Sequence, residues 1–308
     1  MALNENVFKP VQIGFIGAGR LGRALAWALE AKGFFIHAAA SLLDDEARAL
    51  SEKTRSCAVV TAQEVADNCD LVFITTPDSV IKSTADGIRW RAGSAVVHCS
   101  GATELDALAK ANSDGALVGG FHPMQTFGDP EVAARTLAGC VITIEATGEL
   151  NAFLNFLVDS LGCTPNQLPA GERGRYHAAA GYASQYVNVL LAEAVKIWSS
   201  WGASEDVALR ALLPVVRGTV SSIESVGLAK GMPGPVSRGD STTVVKHLES
   251  LKSIDPVAAE LYRELCLRSV ALAEAAGGID NAVAQKMRMI LRPATAMVPS
   301  VSFSGIHY

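Results

Sequence analysis

The stretch IGFIGAGRLGRAL, residues 13–25, narrows the possible folds more than any other part of the chain. It places Gly17-x-Gly19-x-x-Gly22 directly after an apolar run and directly before an amphipathic one. In that order each glycine has its own task. Gly17 allows a tight turn, Gly19 lets the backbone approach a pyrophosphate, and Gly22 permits close contact between helix and strand. The helix start at Arg20 and Leu21 then turns unpaired N–H groups toward phosphate charge. Strand, loop and helix in register predict a dinucleotide-binding α/β domain.

Short apolar runs at Val11–Ile16, Phe34–Ala40, Leu71–Thr75, Ala95–His98, Ala116–Gly119 and Val141–Ile144 alternate with amphipathic stretches. That alternation predicts a parallel sheet covered by helices, the first of them Leu21–Lys32 with Gly33 as its stop. A helix is expected over Leu150–Leu161 and a short connection over Gly162–Leu168. After PAGERGR the pattern changes. Tyr176–Trp201 is alanine-rich without internal proline, and predicts one helix about 40 Å long. Further helices are expected at Glu205–Val216, Gly218–Ala229, Thr242–Ser253, from Asp255-Pro256 to near Gly277, and at Asp280–Arg292, closed by Pro293. The expected class is an α/β Rossmann-type doubly wound parallel sheet followed by an all-α C-terminal domain. Residues 1–168 would bind NAD(P), and residues 169–308 would hold substrate and dimer contacts.

With 308 residues and 49% hydrophobic content, the chain can build two cores. Its net charge of −5 argues against a nucleic-acid or anionic-membrane partner. The opening MALNENVFKP has no basic flank or apolar core of signal-peptide type, and no uninterrupted apolar run reaches membrane-spanning length. Six scattered cysteines without a C-x-x-C pair read as reduced thiols of a cytoplasmic protein.

The second strand ends in Ala40-Ser41, where NAD sites usually carry a carboxylate for the ribose. A serine there can donate to a 2′-phosphate, with Arg20 or Arg48 as charge partners. NADP is therefore favoured over NAD; Asp44 or Asp45 could bind the ribose instead if the loop is shifted. Three polar turns follow later strands: ITTPDSV, HCSGA and FHPM. Thr75, Thr76 and Pro77 are expected along the cofactor passage. Ser100 either steadies a substrate oxygen or caps the next turn. His122, after Gly119-Gly120 and before Pro123, is expected at the rim of the nicotinamide pocket. His98 reads as a satisfied core histidine and Cys99 as packing.

GAGRLG, TTPDSVI, HCSGA, FHPMQTF, RYHAAAGYASQYVN and GPVSRGD together resemble a family of bacterial Rossmann-like oxidoreductases, over roughly Val11 to Gly277. That family pairs an NADP-binding domain with a helical C-terminal domain of unknown function. The chain also looks like the wider group of 6-phosphogluconate and 3-hydroxyisobutyrate dehydrogenases, pyrroline-5-carboxylate reductase and imine reductases. Its HPM turn resembles that of prephenate and arogenate dehydrogenases, where the histidine faces the substrate hydroxyl. The resemblance implies nicotinamide-linked redox chemistry and a homodimer sharing its C-terminal helices. The hydroxy-acid members place a lysine near the start of the long helix, whereas this chain has His177 and no lysine there.

His177, Gly181, Ser184 and Asn188 are spaced to share one face of that helix, either as a substrate stripe or as a helix–helix contact. Arg238, in GPVSRGD, is either the docking point of a substrate acid group or the partner of Asp240. His247 reads as structural. The leading expectation is an NADP-dependent oxidoreductase of a small carbonyl, imine or hydroxy compound carrying an acid group. His122 or His177 would handle the proton, and Ser100 or Asn188 would steady the oxygen. The alternatives are a non-catalytic NADP-binding redox sensor and a deazaflavin-linked NADP oxidoreductase.

Overall fold

The computed structural model describes residues 11–292, so Pro293 lies outside the described residues. The chain divides into two compact units, one through Ser184 and one from Gln185.

The first unit is an eight-stranded sheet. Its strands are β1 Gln12–Ile16, β2 Phe35–Ala40, β3 Ala58–Val59, β4 Leu71–Ile74, β5 Ala95–His98, β6 Leu117–Pro123, β7 Val141–Glu145 and β8 Thr164–Gln167. They lie in the order β3-β2-β1-β4-β5-β6-β7-β8. The order reverses direction beside β1, and open α/β sheets bind ligands at such a point, beyond the carboxyl ends of the strands. The helices are α1 Arg20–Ala31, α2 Asp44–Ser51, α3 Ala62–Asn68, α4 Asp78–Asp86, α5 Ala109–Ser113, α6 Pro130–Arg135, α7 Gly148–Leu161 and α8 Arg173–Ala183.

Strand alternation sends Phe15, Phe73 and Phe121 into a core shared with Leu25 and Leu29 of α1 and Leu154 and Leu157 of α7. The Phe15 and Phe73 rings stack at 5.2 Å, and Phe73 meets Phe121 edge-on at 5.4 Å. The intervening residues Val72, Ile74 and Val96 face a second core with Val65 of α3 and Ile81 of α4. Helices therefore cover both faces, and the strands must be apolar on both sides.

Three features depart from the expected pattern. The sheet is parallel except between β6 and β7, which run antiparallel, so the chain returns along the same edge without crossing a face. The stretch expected as a connection after α7 is the edge strand β8, parallel to β7. The long helix expected from Tyr176 breaks at Ser184, whose φ of −124° and ψ of −84° leave the helical region. Ser184 Oγ donates to the Ala180 carbonyl at 2.7 Å, a back-bond of the kind that bends helices. The first unit thus extends past the expected boundary at residue 168, because α8 is tied to the sheet.

The second unit holds α9 Gln185–Ser199, α10 Glu205–Lys230, α11 Ser241–Ile254, α12 Pro256–Ala275 and α13 Asn281–Ile290. The two helices expected within 205–229 are one, α10, interrupted only near its end by Gly227 at φ +82°. Val244, Val270, Ala273, Met287 and Leu291 form the core of this unit. Asp240, Asp255 and Asp280 cap α11, α12 and α13 by accepting from backbone N–H groups.

Candidate functional site

The glycine loop has the geometry its spacing predicts. Gly17 lies at φ +100°, and a side chain there would meet the Thr75–Thr76 peptide at 2.7 Å. A Cβ on Gly22 would strike the Gly17 carbonyl and reach Thr75 Oγ1 at 2.7 Å. Gly19 differs: its Cβ direction is open, with nothing within 4 Å. Gly17 and Gly22 are needed for packing, whereas Gly19 leaves a bare backbone facing open space. Gly19 is also the N-cap of α1 and provides no side-chain cap, so the first amides of the helix stay available to an anion.

Two cavities flank this loop. The larger, about 730 Å³, is lined by Ser41, Leu43, Glu46, Thr61 and the Thr75–Pro77 turn among others. The smaller, about 360 Å³, is lined by Arg20, Leu21, Asp78, Cys99, Ser100 and Phe127 together with the same turn. Both touch Gly19, Thr75, Thr76 and Pro77. A dinucleotide straddling the loop, one half on each side, fits this arrangement.

The ribose end is more acidic than the sequence pattern indicated. Ser41 Oγ donates to Glu46 Oε2 at 3.3 Å, which brings a carboxylate into the larger cavity from α2 and not from the strand end. Arg20 lines the smaller cavity instead, and Arg48 pairs with Asp44 on the exposed surface at 3.8 Å. Neither arginine lines the cavity that holds Ser41.

Beside the smaller cavity, α8 lays its first turns over two polar rows of the sheet. Register pairs His98 with Gly120 and Gly120 with Glu145. The fully buried Arg173 lies over Gly120, whose missing side chain makes the room. Its Nε donates to Glu145 Oε2 at 2.7 Å, and its Nη1 donates to the Ser100 carbonyl at 2.7 Å. The next row pairs His122 with Thr143 and Thr143 with Asn166. Tyr176, one turn after Arg173, crosses this row: its hydroxyl lies 2.7 Å from His122 Nδ1 and also hydrogen-bonds Thr143. His177 follows, its ring 5.9 Å from that of His122. Both imidazoles pack on Gly101, where a Cβ would lie 2.9 Å from His122 Nε2 and would strike His177 Nδ1.

This burial sets the electrostatics. Desolvation, then the charges of His177 and Arg173, push the His122 imidazole down to about 4, with Asp78 opposing. Burial, then Arg173 and His122, push His98 down to about 3. Burial raises the Tyr176 phenol, with the Thr143 hydrogen bond and Arg173 opposing. At neutral pH, His122 and His98 are uncharged and Tyr176 keeps its proton.

Several expected residues take other places. His122 ends β6 as expected, but it stands behind Ser100 and Gly101 and is not part of the smaller cavity's lining. His177 belongs to the first unit and meets His122 within it. His98 is buried, yet neither ring nitrogen has a hydrogen-bond partner among the described residues, so it is not a satisfied core histidine. Ser100 does line the cavity, and its Oγ accepts from the Ala102 and Thr103 amides at 3.1 and 2.9 Å, which is the turn-capping role. Cys99 packs in the core, and burial raises its thiol. The break at Ser184 ends the single face expected for His177, Gly181, Ser184 and Asn188, and Asn188 falls in the second unit. Arg238 sits on a 3-10 turn of the second unit without a direct ion pair among the described residues, while Asp240 caps α11. His247 is bonded to Tyr262 at 2.8 Å, a structural contact. Arg173, Tyr176, Glu145, Thr143 and Gly101 had no place in the sequence reading. The available signal was RGRYH, which spaces Arg173, Tyr176 and His177 along one face of a helix.

Comparison with known families accounts for this two-part construction. Residues 4–123 match the Rossmann-like domain model, and residues 140–269 match a domain of unknown function, DUF2520. The chain joins a Rossmann-like domain to a DUF2520 domain. The Rossmann-like match ends at Pro123 and includes His122, while the DUF2520 match supplies Glu145, Arg173, Tyr176 and His177. The polar cluster is thus assembled from both.

Among solved structures, the Rossmann-like–DUF2520 chain is similar to a candidate NADP oxidoreductase of Bacteroides fragilis. The two are 25% identical with a TM-score of 0.67, over 85% of this chain and 98% of that one. A Thermotoga maritima protein is 23% identical with a TM-score of 0.68, over the same shares. A reductive aminase from Aspergillus terreus, in complex with NADPH and ethyl levulinate, shares the fold at 17% identity and a TM-score of 0.61, over 92% of this chain and all of that one. No curated protein sequence matches the chain.

Proposed function

We propose that the protein is an NADP(H)-dependent oxidoreductase acting on a small carbonyl, imine or hydroxy compound with an acid group. The observation that carries this reading is the glycine loop between two cavities, with a histidine pair packed directly behind the smaller one. Gly17, Gly19, Gly22 and the amides of Arg20 and Leu21 would hold the pyrophosphate, and Thr75, Thr76 and Pro77 would line the passage between the halves. The bound nicotinamide would supply or accept hydride. Ser100, His122 and His177 would steady the reacting group and handle its proton.

NADP is preferred to NAD because β2 ends in Ala40-Ser41 without a carboxylate, and because similar folds are described with NADP or NADPH. Glu46 works against a 2′-phosphate and makes that preference testable. Arg238, uncommitted to an ion pair among the described residues, is the candidate for the substrate acid group. Gly181, Ser184 and Asn188 are left out, since the helix break removes the argument that grouped them.

A homodimer through the C-terminal helices is part of the same reading. None of the α9 residues is buried, and Tyr186, Val189 and Leu190 are exposed. Exposed apolar surface of this kind marks an interface. The six cysteines carry no disulfide, which suits a cytoplasmic protein, and no described helix is long and apolar enough to cross a membrane.

The test is NADPH binding by fluorescence, followed by NADPH oxidation over keto acids, aldehydes and cyclic imines and by NADP reduction with hydroxy acids. Tight binding with turnover of one class is expected. Failure to bind either reduced cofactor would overturn the proposal.

A further inference from the structure

The reading above leaves open whether the reducible group is a neutral carbonyl or a cationic iminium. The hydrogen bonds behind His122 bear on that choice, and the following inference rests on the oxidoreductase reading. Asn166 Nδ2 can only donate, and it donates to Thr143 Oγ1 at 3.1 Å. Thr143 is fully buried, and its own hydroxyl proton is left for the Tyr176 oxygen. The Tyr176 proton then points at His122 Nδ1, 2.7 Å away. Three donors run in one direction and end on an imidazole nitrogen that must accept. A neutral imidazole accepting at Nδ1 carries its proton at Nε2. That nitrogen lies against Gly101, on the side where His177 and the Ser100 loop stand.

We propose that Tyr176, oriented by Thr143 and Asn166, is a positioning residue that locks His122 in the neutral Nε2–H tautomer, and that the site thereby selects a carbonyl substrate over an iminium. When hydride adds to a carbonyl carbon, the π pair moves onto oxygen, which gathers negative charge and then takes a proton from solvent, with the exposed His177 on its path. An N–H donor aimed at that oxygen stabilises the charge as it develops. When hydride adds to an iminium carbon, the pair closes onto a nitrogen that is already cationic. That nitrogen has no lone pair to accept a hydrogen bond and needs no proton. A neutral imidazole donor therefore favours the first reaction and contributes nothing to the second.

The charged and titratable groups around His122 agree with this. Arg173 from α8 faces it with Glu145 of β7 as its counter-ion, and His98 of β5 is buried and neutral. Asp78 of α4 is the acidic group that acts on His122 against the others, and His177 adds to Arg173 in disfavouring a second proton. The imidazole is held uncharged, so it acts as a donor and not as an acid.

Two measurements on the full chain test the proposal. Long-range proton–nitrogen NMR at pH 7 should find His122 protonated at Nε2, and Tyr176→Phe should mix the tautomers. In NADPH oxidation, a keto acid should be turned over in preference to a cyclic imine of the same size. Tyr176→Phe should lower kcat for the keto acid about tenfold, the worth of one orienting hydrogen bond, while leaving the Kd for NADPH unchanged. His122 protonated at Nδ1 in the native protein would overturn the Tyr176 role even if the variant fails to fold. Preference for the imine would overturn the carbonyl assignment and leave the oxidoreductase reading standing. The expected tautomer with NADPH binding but no turnover of either class would instead overturn the oxidoreductase reading, and the substrate assignment with it.

Discussion

Replacing Arg173 by Met should be among the most damaging single changes in the first unit that leave the glycine loop intact. Arg173 is wholly buried, and Glu145, its partner at 2.7 Å, has a side chain only 11% exposed. Met keeps most of the volume but leaves the Glu145 carboxylate without its counter-ion and the Ser100 carbonyl without its donor. Breaking one side of a buried ion pair costs about 3–5 kcal/mol. At about 2–4 °C per kcal/mol for a unit of this size, the Tm should fall by roughly 6–20 °C. Arg175→Met is the control, since Arg175 pairs with Glu172 at 3.0 Å with its own side chain 84% exposed. An exposed pair contributes at most about 1 kcal/mol. The double change Arg173→Met with Glu145→Gln removes both charges and should recover most of the loss, leaving about 1 kcal/mol for the unpaired Ser100 carbonyl. Urea melts followed by tryptophan fluorescence, compared at equal m-values, give the four free energies. A cost for Arg173→Met no larger than that for Arg175→Met would refute the reasoning, as would a double variant as unstable as the sum of its singles.

Three other outcomes follow from the site. Gly19→Ala should leave the Tm unchanged yet weaken NADPH binding tenfold or more, because its Cβ enters open space where the pyrophosphate is expected; Gly22→Ala should destabilise the fold itself by about 1–3 kcal/mol, since it strikes the Gly17 carbonyl. Equal effects of the two on thermal stability would contradict that division. His98 and His122 sit at about 3 and 4 in the folded protein, below the ordinary value of 6.5, so the unfolded chain binds more protons between pH 6.5 and 4. Stability should therefore drop on acidification through that window, by about 1.4 kcal/mol per pH unit for each histidine, and His98→Leu should flatten the slope. Glu46→Gln removes the carboxylate beside Ser41 and should shift preference toward NADPH over NADH by about tenfold, on the order of 1 kcal/mol of screened repulsion. An unchanged ratio of the two dissociation constants would remove Glu46 from cofactor choice.

The glycine loop, the apolar strands and the helix starts were legible in the chain because each depends on neighbours in sequence. A Gly-x-Gly-x-x-Gly between a strand and a helix is a local conformational requirement, and Gly17 at φ +100° meets it. Two-sided burial makes strands read as apolar runs, and β1, β4 and β5 do. The Asp caps of α11, α12 and α13 are likewise local. His122 and His177 stood out as polar residues in apolar or alanine-rich surroundings, so both were found, but their partners were not.

Those partners were decided by register and by the bend at Ser184, neither of which is a property of any one segment. Glu145 meets Arg173 only because β7 runs antiparallel to β6 and sets Glu145 opposite Gly120. Thr143 meets Tyr176 only because the same register sets it opposite His122. Glu46 reaches Ser41 from the following helix, outside the strand-end position where a ribose carboxylate is sought. Local chemistry thus specified the elements and the phosphate loop, whereas pairings between residues 28 to 73 positions apart, closed by burial of one arginine, determined the polar cluster behind the smaller cavity.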